Sequence, residues 1–409
     1  MIKKIYEKGL GYCLKVALML GAEQINRICF QLFCVFPMNR KRILFESEGD
    51  FSDNAQALYQ YMKEQGFFDK YEAVWVADEP DKLMDKENIK AVSKCRGMLR
   101  IKTSYYLATC HYYIYDHCNL LEHVKKRGGQ QIIYLSHGFG YKASKGYDTS
   151  KIVSGFDVMI ATGTIPAEGN SRFWNSDINK TKILGYPRLD YFFSDLSEVR
   201  NKVREIYHWS EYKRVMLWMP TFRQSMNKDL SENYLTNETG LPIFSQEKEL
   251  TDFDRFLQKE QVLFILKLHH LQAQLPVFKK KFSNIMILND QDLMKQDIRL
   301  YQFIALTDAL VTDYSSISVD YMLLDRPVIY TLDDYEKYNA SRGIWPENAI
   351  DYMKGYHIYC IKDLEDSILE LVKGLDRYKE DRNNVIHYFH KYIDGKSSKR
   401  IVEYLGLTR

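Results

Sequence analysis

Short apolar segments alternate with helical patterns along most of the chain, and the alternation occurs twice. The first series of strand candidates comprises residues 42–47, 72–78, 89–93, 112–116, 131–136, 157–162 and 181–186. A charged helical segment at 197–209 precedes a second series at 214–220, 262–270, 284–290, 309–313, 327–332 and 356–361. Alternation of this kind predicts parallel sheets covered by helices on both faces. We therefore expect an α/β protein with two Rossmann-like domains, at residues 41–208 and 209–409, behind a separate segment 1–40.

The amino-acid composition limits which kinds of ligand the chain is expected to bind. The chain has 409 residues, of which 45% are hydrophobic and 27% charged, and its net charge of +3 is too small to predict nucleic-acid binding. Seven irregularly spaced cysteines indicate free thiols in a reducing compartment. One group invites a metal interpretation: Cys110, His111, His117, Cys118 and His123. Its strand-like spacing favours a strand and its loop, so we predict neither a metal site nor a cofactor.

The segment 1–40 is apolar with basic ends, but Glu23, Gln24 and Arg27 interrupt it. Its longest uncharged stretch is shorter than the roughly 20 residues that span a bilayer. An amphipathic helix on a membrane surface fits this pattern, with basic residues near the headgroups at Lys3, Lys4, Lys8 and Lys15. A helix packed on the protein's own core fits it as well, and the sequence leaves both alternatives open.

Polar clusters follow four of the predicted strands. They are His137 with Gly138 and Lys142; Thr221 with Arg223; His269 with His270; and Asp313 with Ser315 and Ser316. Each cluster alone has an ordinary structural explanation, such as a helix N-cap. Ligands of doubly wound sheets, however, bind beyond the carboxyl ends of the strands, so the four together indicate a site.

The chemistry of these clusters suits a phosphate-bearing substrate. Hydroxyls and backbone N–H groups at a helix start, as expected at Ser315 and Ser316, bind anions. His269 and Arg223 could donate further hydrogen bonds to a diphosphate. His137, expected in the other domain, could accept a proton from an attacking hydroxyl.

Seven segments carry a resemblance to a known family. They are SHGFGYK (136–142), GYPRLD (185–190), MPTFR (219–223), KLHH (267–270), VTDYSSISVDYMLLDRPVIY (311–330), DDYEKYNASRGIW (333–345) and DGKSSKR (394–400). From about Arg42 to Leu405 the chain resembles the CDP-glycerol glycerophosphotransferase family of teichoic acid primases and polymerases. It departs from the family pattern at Ser136 and at residues 139–142, where the family usually has Trp and Pro-Leu-Lys.

The resemblance implies a GT-B fold and a peripheral protein at the cytoplasmic face of the cell membrane. It implies transfer of glycerol phosphate from CDP-glycerol, or ribitol phosphate from CDP-ribitol, to a polyprenyl-linked glycan, with release of CMP. The catalytic residues would be His137 as general base and His269. The donor would be bound by Thr221, Arg223, Asp313, Ser315, Ser316 and Arg342, and the acceptor side would comprise Asn54, Gly138 and Lys142. Asp53 and Asn54 also read as helix N-cap residues.

Two further expectations concern the subtype and the alternatives. The chain length favours a short primase-like enzyme. A GT-B nucleotide-sugar glycosyltransferase in cell-surface polysaccharide synthesis remains the main alternative, with a metal-dependent variant suggested only by the acidic pair Asp290 and Asp292. A third alternative is a membrane-associated scaffold that has lost catalysis.

Overall fold

In the computed structural model, the described residues are 10–87, 89–117, 120, 126–143, 155–222, 237–269 and 271–409. They form two parallel β-sheets with helices packed on both faces. All thirteen strand predictions are confirmed. Most of the strands are shorter than the apolar segments, because several segments continue into the loops that follow them, whereas the strands Asn39–Glu46 and Cys110–Tyr115 begin before theirs.

The first sheet has seven parallel strands in the order β3-β2-β1-β4-β5-β6-β7. Their bounds are β1 Asn39–Glu46, β2 Glu72–Ala77, β3 Ala91–Ser93, β4 Cys110–Tyr115, β5 Gln131–Tyr134, β6 Val158–Ala161 and β7 Thr181–Ile183. The central strands are buried on both faces, which explains their nearly continuous apolar sequences.

The second sheet has six parallel strands in the order β10-β9-β8-β11-β12-β13. Their bounds are β8 Arg214–Trp218, β9 Val262–Leu266, β10 Ile285–Ile287, β11 Ala309–Thr312, β12 Val328–Thr331 and β13 Tyr356–Ile358. In both sheets the strand order reverses direction at one place, between β1 and β4 and between β8 and β11. Crevices at such reversals are where doubly wound sheets bind ligands.

Fifteen α-helices are present among the described residues. They are α1 Leu10–Phe33, α2 Asp53–Glu64, α3 Pro80–Glu87, α4 Ile101–Thr109, α5 Thr164–Phe173, α6 Ser197–Tyr207, α7 Glu247–Glu260, α8 Asp290–Lys295, α9 Leu300–Ile304, α10 Ser316–Tyr321, α11 Tyr335–Ser341, α12 Ala349–Tyr352, α13 Ile361–Val372, α14 Lys379–Phe389 and α15 Ser397–Tyr404.

The last helix packs against the first sheet, although it follows the second in the chain. Ile401 and Val402 of α15 are buried in the core that contains β1 and β2. The Asp190 carboxylate accepts hydrogen bonds from the backbone N–H groups of Ser397 and Ser398, each at 2.8 Å, at the start of that helix. The end of the chain thus connects the second sheet back to the first. The domain limits expected at residues 40 and 208 stay predictions.

Helix α1 packs on the protein with one face only. Asn26 and Phe30 are buried, and Asn26 Oδ1 accepts a hydrogen bond from the backbone N–H of Arg100 at 2.7 Å. The opposite face exposes leucines at Leu14, Leu18 and Leu32, whose spacing places them on one stripe of the helix. No helix in the described part of the chain combines the length and the apolar character that crossing a bilayer requires.

Candidate functional site

The loop after β5, which carries His137, contacts the loop after β11 and the start of α10 in the second sheet. A Cβ atom added to Gly138 would lie 3.1 Å from Ser316 Oγ, and one added to Gly140 would lie 2.7 Å from the backbone oxygen of Tyr314. Gly138 also has φ +119°, a conformation that favours glycine. The two motifs that the sequence placed in separate halves of a site therefore touch each other through these glycines.

The residues that follow Gly138 anchor the loop in the second sheet's core. Phe139 and Tyr141 are buried there, and the Tyr141 backbone N–H donates a 3.1 Å hydrogen bond to the Tyr314 carbonyl. Phe139 packs edge-on against Trp345. The departures from the family pattern at Phe139 and Tyr141 thus serve packing, because neither side chain reaches the site surface.

The same loop pairs with the segment that contains Arg342. Lys142 forms an antiparallel bridge with Ile344, and the backbone N–H of Ala143 donates to the Gly343 carbonyl at 3.0 Å. Lys142 is exposed beside the His137 loop, and Arg342 lies half-buried with its guanidinium 5.8 Å from the centre of the Tyr338 ring. Both cations are therefore close to the paired loops.

His137 presents one edge of its imidazole to the open surface. Nδ1 lies 2.8 Å from the hydroxyl oxygen of Tyr134, which is fully buried, so the exposed part of the ring is the edge that carries Nε2. Loss of solvation, together with the nearby His117, Arg188 and Lys142, lowers the pKa of His137 below its ordinary value. The ring is therefore neutral near pH 7, which is the state a general base requires.

Asp313 connects two of the strand-end loops. Its buried carboxylate accepts hydrogen bonds from the Thr221 backbone N–H at 2.9 Å and from the Thr221 hydroxyl at 2.5 Å. The loop after β8 is thereby fixed to the loop after β11. Asp313 therefore positions Thr221, and its role in donor binding stays a prediction.

His269 follows β9 and stacks on Phe222, with ring centres 4.2 Å apart and planes within 8°. Its Nδ1 accepts a hydrogen bond from the Leu271 backbone N–H at 3.3 Å. In the neutral ring the proton is then on Nε2, which makes His269 a hydrogen-bond donor suited to a phosphate oxygen. Arg223 and His270 lie outside the described residues.

Ser315 and Ser316 lie at the start of α10, where Ser315 is the N-cap residue. Both are half-buried, and neither hydroxyl has a hydrogen-bond partner within the described ranges. Their oxygens are therefore available for a ligand beside the His137 loop.

Arg188, in the GYPRLD segment, is a central residue that the sequence reasoning did not assign to the site. Its buried guanidinium donates hydrogen bonds to Asp53 Oδ1 at 2.7 Å, to the His137 carbonyl at 3.0 Å and to Asp320 Oδ2 at 2.7 Å. One side chain thus binds α2, the His137 loop and α10. The presence of Arg188 in the GYPRLD motif could have pointed to a functional role, but only the fold shows which groups its guanidinium contacts.

Asn54 does not cap α2, contrary to the expectation from its position. The N-cap residue is Ser52, and Asn54 is buried two residues further on. Its amide nitrogen donates to the Ser136 carbonyl at 2.7 Å, and its amide oxygen accepts from the Arg188 backbone N–H at 3.1 Å. Asn54 therefore supports the residue before His137, and its place on the acceptor side stays a prediction.

A cavity of about 380 Å³ opens where the two strand-end edges meet. Its lining includes Glu48 and Asp53 from the first sheet's loops, Lys267 after β9, and Arg188 and Tyr301. Charges of both signs and an aromatic ring make this space suitable for a polar ligand that also offers a flat face.

The groups raised earlier as metal ligands do not assemble into a site in the described part of the chain. Cys110 is buried in β4, where loss of solvation raises the pKa of its thiol to about 12. Asp292 lies 3.6 Å from Lys295 on its own helix. Cys118 and His123 are outside the described residues.

Two doubly wound parallel sheets whose strand-end loops touch around His137 and Ser316 define an α/β protein of GT-B-like architecture. The family model described as "CDP-Glycerol:Poly(glycerophosphate) glycerophosphotransferase" matches residues 28–407. The chain belongs to this family, the one that also contains the teichoic acid primases and polymerases.

Relatives of known function support this membership. The chain is 25% identical over 415 residues to a teichoic acid poly(glycerol phosphate) polymerase of Bacillus spizizenii, covering 93% of this chain and 96% of that protein. It is 24% identical over 400 residues to a teichoic acid poly(ribitol-phosphate) polymerase of the same species, covering 91% of this chain but only 57% of that longer protein. A teichoic acid ribitol-phosphate primase of that species is 24% identical, with 92% and 93% covered.

The fold is similar to that of a solved structure of the wall teichoic acid polymerase TagF. The TM-score is 0.73 at 20% identity, with 99% of this chain and 98% of that chain covered. A UDP-N-acetylglucosamine 2-epimerase of Listeria monocytogenes shares the architecture more distantly, with a TM-score of 0.51 at 10% identity. Because a polymerase is matched over 96% of its length, chain length does not separate primases from polymerases, and the primase-like subtype stays a prediction.

Proposed function

We propose that this protein transfers glycerol phosphate, or a similar polyol phosphate, from a CDP-alcohol to a hydroxyl of a polyprenyl-linked glycan and releases CMP. Contact between the His137 loop and the start of α10 carries this proposal. A Cβ atom at Gly138 would lie within 3.1 Å of Ser316 Oγ, so a ligand bound at Ser316 lies next to the loop that carries the base.

The donor diphosphate binds at the second sheet. The hydroxyls of Ser315 and Ser316 donate to its oxygens, and Nε2–H of His269 donates from the neighbouring loop. Arg342, and Arg223 from the sequence pattern, supply positive charge. Phosphoryl transfer depends mostly on positioning and on neutralising the charge of the equatorial oxygens, which these groups provide.

The acceptor hydroxyl approaches from the first sheet. Its oxygen attacks the phosphorus that carries the polyol, the bond from that phosphorus to the bridging oxygen breaks, and CMP leaves. His137 Nε2 takes the proton of the attacking hydroxyl, which the low pKa of the ring permits only as the new P–O bond makes that proton acidic. Lys142 lies on the same side, where it balances the negative charge of an incoming acceptor.

A donor screen tests the reaction. Purified protein is incubated with CDP-glycerol, CDP-ribitol or UDP-sugars and a synthetic lipid-linked disaccharide, and CMP release and product mass are measured. We expect CMP release with a CDP-alcohol, and the product mass then distinguishes one added unit from many. Relatives act on both glycerol and ribitol phosphate according to their names, so both donors are included. Release with UDP-sugars alone would establish the glycosyltransferase alternative.

A His137→Gln variant separates catalysis from binding. We expect turnover to fall by at least about 100-fold, while binding of the CDP-alcohol changes little because the donor contacts lie in the second sheet. Near-normal kcat in this variant would show that His137 is not the base.

We also propose that the exposed face of α1 binds the cytoplasmic surface of the cell membrane, where a polyprenyl-linked acceptor resides. Replacing Leu14, Leu18 and Leu32 by serine should reduce cosedimentation with phosphatidylglycerol vesicles, because each exposed leucine contributes apolar area to the interface. Serine at the exposed Leu271 and Leu375 is the matched control. Unchanged sedimentation of the α1 variant would leave the helix with a packing role only.

A further inference from the structure

We infer that Tyr134 is a positioning residue that holds His137 in the tautomer with the proton on Nδ1, leaving the Nε2 lone pair directed at the acceptor. This inference rests on the proposed function of His137 as general base. It concerns a residue three positions before His137, in the last position of β5.

One nitrogen of the His137 ring is hydrogen-bonded to a buried and closely packed side chain. Tyr134 is fully buried, and its ring lies between aromatic neighbours: Tyr115 at 4.9 Å, Phe156 at 5.6 Å and the edge contact of Trp174 at 5.3 Å. Its hydroxyl oxygen is 2.8 Å from His137 Nδ1. The orientation of the imidazole is therefore set by a strand residue rather than by the loop alone.

The direction of this hydrogen bond decides what His137 can do. If the Tyr134 O–H donated to Nδ1, the proton of the neutral ring would be on Nε2, and an acceptor hydroxyl would meet a donor where it needs a base. If Nδ1–H donates to the Tyr134 oxygen, Nε2 has a free lone pair. Burial raises the pKa of Tyr134 well above its ordinary value, so it remains a phenol that can accept this bond.

The arrangement also stabilises the ring after it has taken the proton. The imidazolium keeps its Nδ1–H bond to Tyr134, and this charge-assisted bond is stronger than the neutral one. Arg188 and Lys142 oppose that positive charge, and the neighbouring His117 ring lies 4.9 Å away with its Nδ1 at 3.5 Å from Glu48. Among the described residues, Tyr134 favours the protonated ring by direct contact.

The tautomer can be read without any substrate. The full-length chain is labelled with ¹⁵N-histidine, and the His137 signals are identified by their loss in His137→Gln. We expect a pyrrole-type shift for Nδ1 and a pyridine-type shift for Nε2 in the wild type, and a mixture of tautomers in Tyr134→Phe. A wild-type spectrum with the proton on Nε2 would overturn the inference.

Enzyme kinetics provide the second test of the role of Tyr134. Tyr134→Phe retains the aromatic packing and removes only the oxygen, so we expect kcat to fall on the order of 10-fold or more with the donor KM within about twofold. Tyr356→Phe, which removes a hydroxyl that donates to the Leu375 carbonyl at 3.2 Å from the edge strand β13, should leave kcat unchanged. An unchanged kcat in Tyr134→Phe would refute the positioning role.

The two arms separate this inference from the proposed function. If no CDP-alcohol is turned over by the wild type, the proposed function fails, while the ¹⁵N spectra still report whether Tyr134 sets the tautomer. If turnover is found and Tyr134→Phe changes neither spectrum nor kcat, the proposed function stands and the inference fails.

Discussion

Replacing Gly140 by alanine tests whether the contact between the two sheets' loops organises the site. A Cβ atom at this position would lie 2.7 Å from the Tyr314 backbone oxygen and 2.8 Å from the Ser316 backbone nitrogen. Both neighbours are backbone atoms, so no side-chain rotation can relieve the overlap. Ordinary contact begins near 3.4 Å, and the loops must therefore separate by roughly 0.7 Å.

That displacement has consequences for both catalysis and stability. A misplacement of about 1 Å in an active site can reduce the rate about 100-fold, so a shift of roughly 0.7 Å predicts a fall in kcat of about 10- to 100-fold. Overpacking of a tight contact costs about 1–3 kcal/mol of unfolding free energy. A domain with an ordinary stability of about 5–15 kcal/mol stays folded after such a loss, so the kinetic effect can be measured on folded protein.

The assay measures kcat and KM by CMP release, together with denaturant unfolding, for Gly140→Ala and for Gly128→Ala. Gly128 is the matched control, because it is exposed and a Cβ added there meets nothing within 4 Å. We expect the control to match the wild type in both measurements. If Gly140→Ala retains kcat within twofold, the two loops do not need to touch in the active enzyme, and the reasoning about the site is refuted.

Two further predictions concern buried charges. Arg188→Met should cost about 3–5 kcal/mol in denaturant unfolding, because it leaves Asp320 buried without its ion pair; Arg188→Met/Asp320→Leu should recover part of that loss, and no recovery would contradict the pairing. Burial raises the pKa of Glu46 to about 7 beside Tyr113, so the folded state binds this proton more tightly than the unfolded state does. The resulting stability is fully present below about pH 4.5 and is lost as the pH rises through about 7, an effect on the order of 3 kcal/mol. Glu46→Gln should remove this pH dependence of the unfolding free energy, measured at pH 5 and pH 8. The same change with pH in the wild type and the variant would exclude a contribution from Glu46.

The strands were predictable because burial on both faces of a parallel sheet demands continuous apolar sequence. The chemistry-bearing loops were predictable because each follows such a strand. The contacts between loops were not, since a sequence does not state which strand ends lie opposite each other in space. Asn54 illustrates the limit: its position beside a helix start predicted a cap, whereas the fold places it under Ser136 and Arg188.

Some residues that the sequence singled out for chemical reasons also make structural contacts. Asp313, which is expected at the donor, also fixes Thr221 in place, and Phe139 and Tyr141, which depart from the family pattern, fill the second sheet's core. Arg188 shows the converse, because its three hydrogen bonds connect elements far apart in the chain. Such roles depend on the positions of several segments at once, which local patterns do not encode.

The sequence by itself determined the two series of strands, the α/β class, the four polar strand ends and the family to which the motifs belong. The tertiary structure decided which of those ends meet, that glycines at 138 and 140 allow the loops to touch, and that Tyr134 and Arg188 both contact His137. The physical reason is that strand and helix patterns follow from local burial and hydrogen bonding, whereas a site is made by long-range packing that brings separate strand ends within a few ångströms.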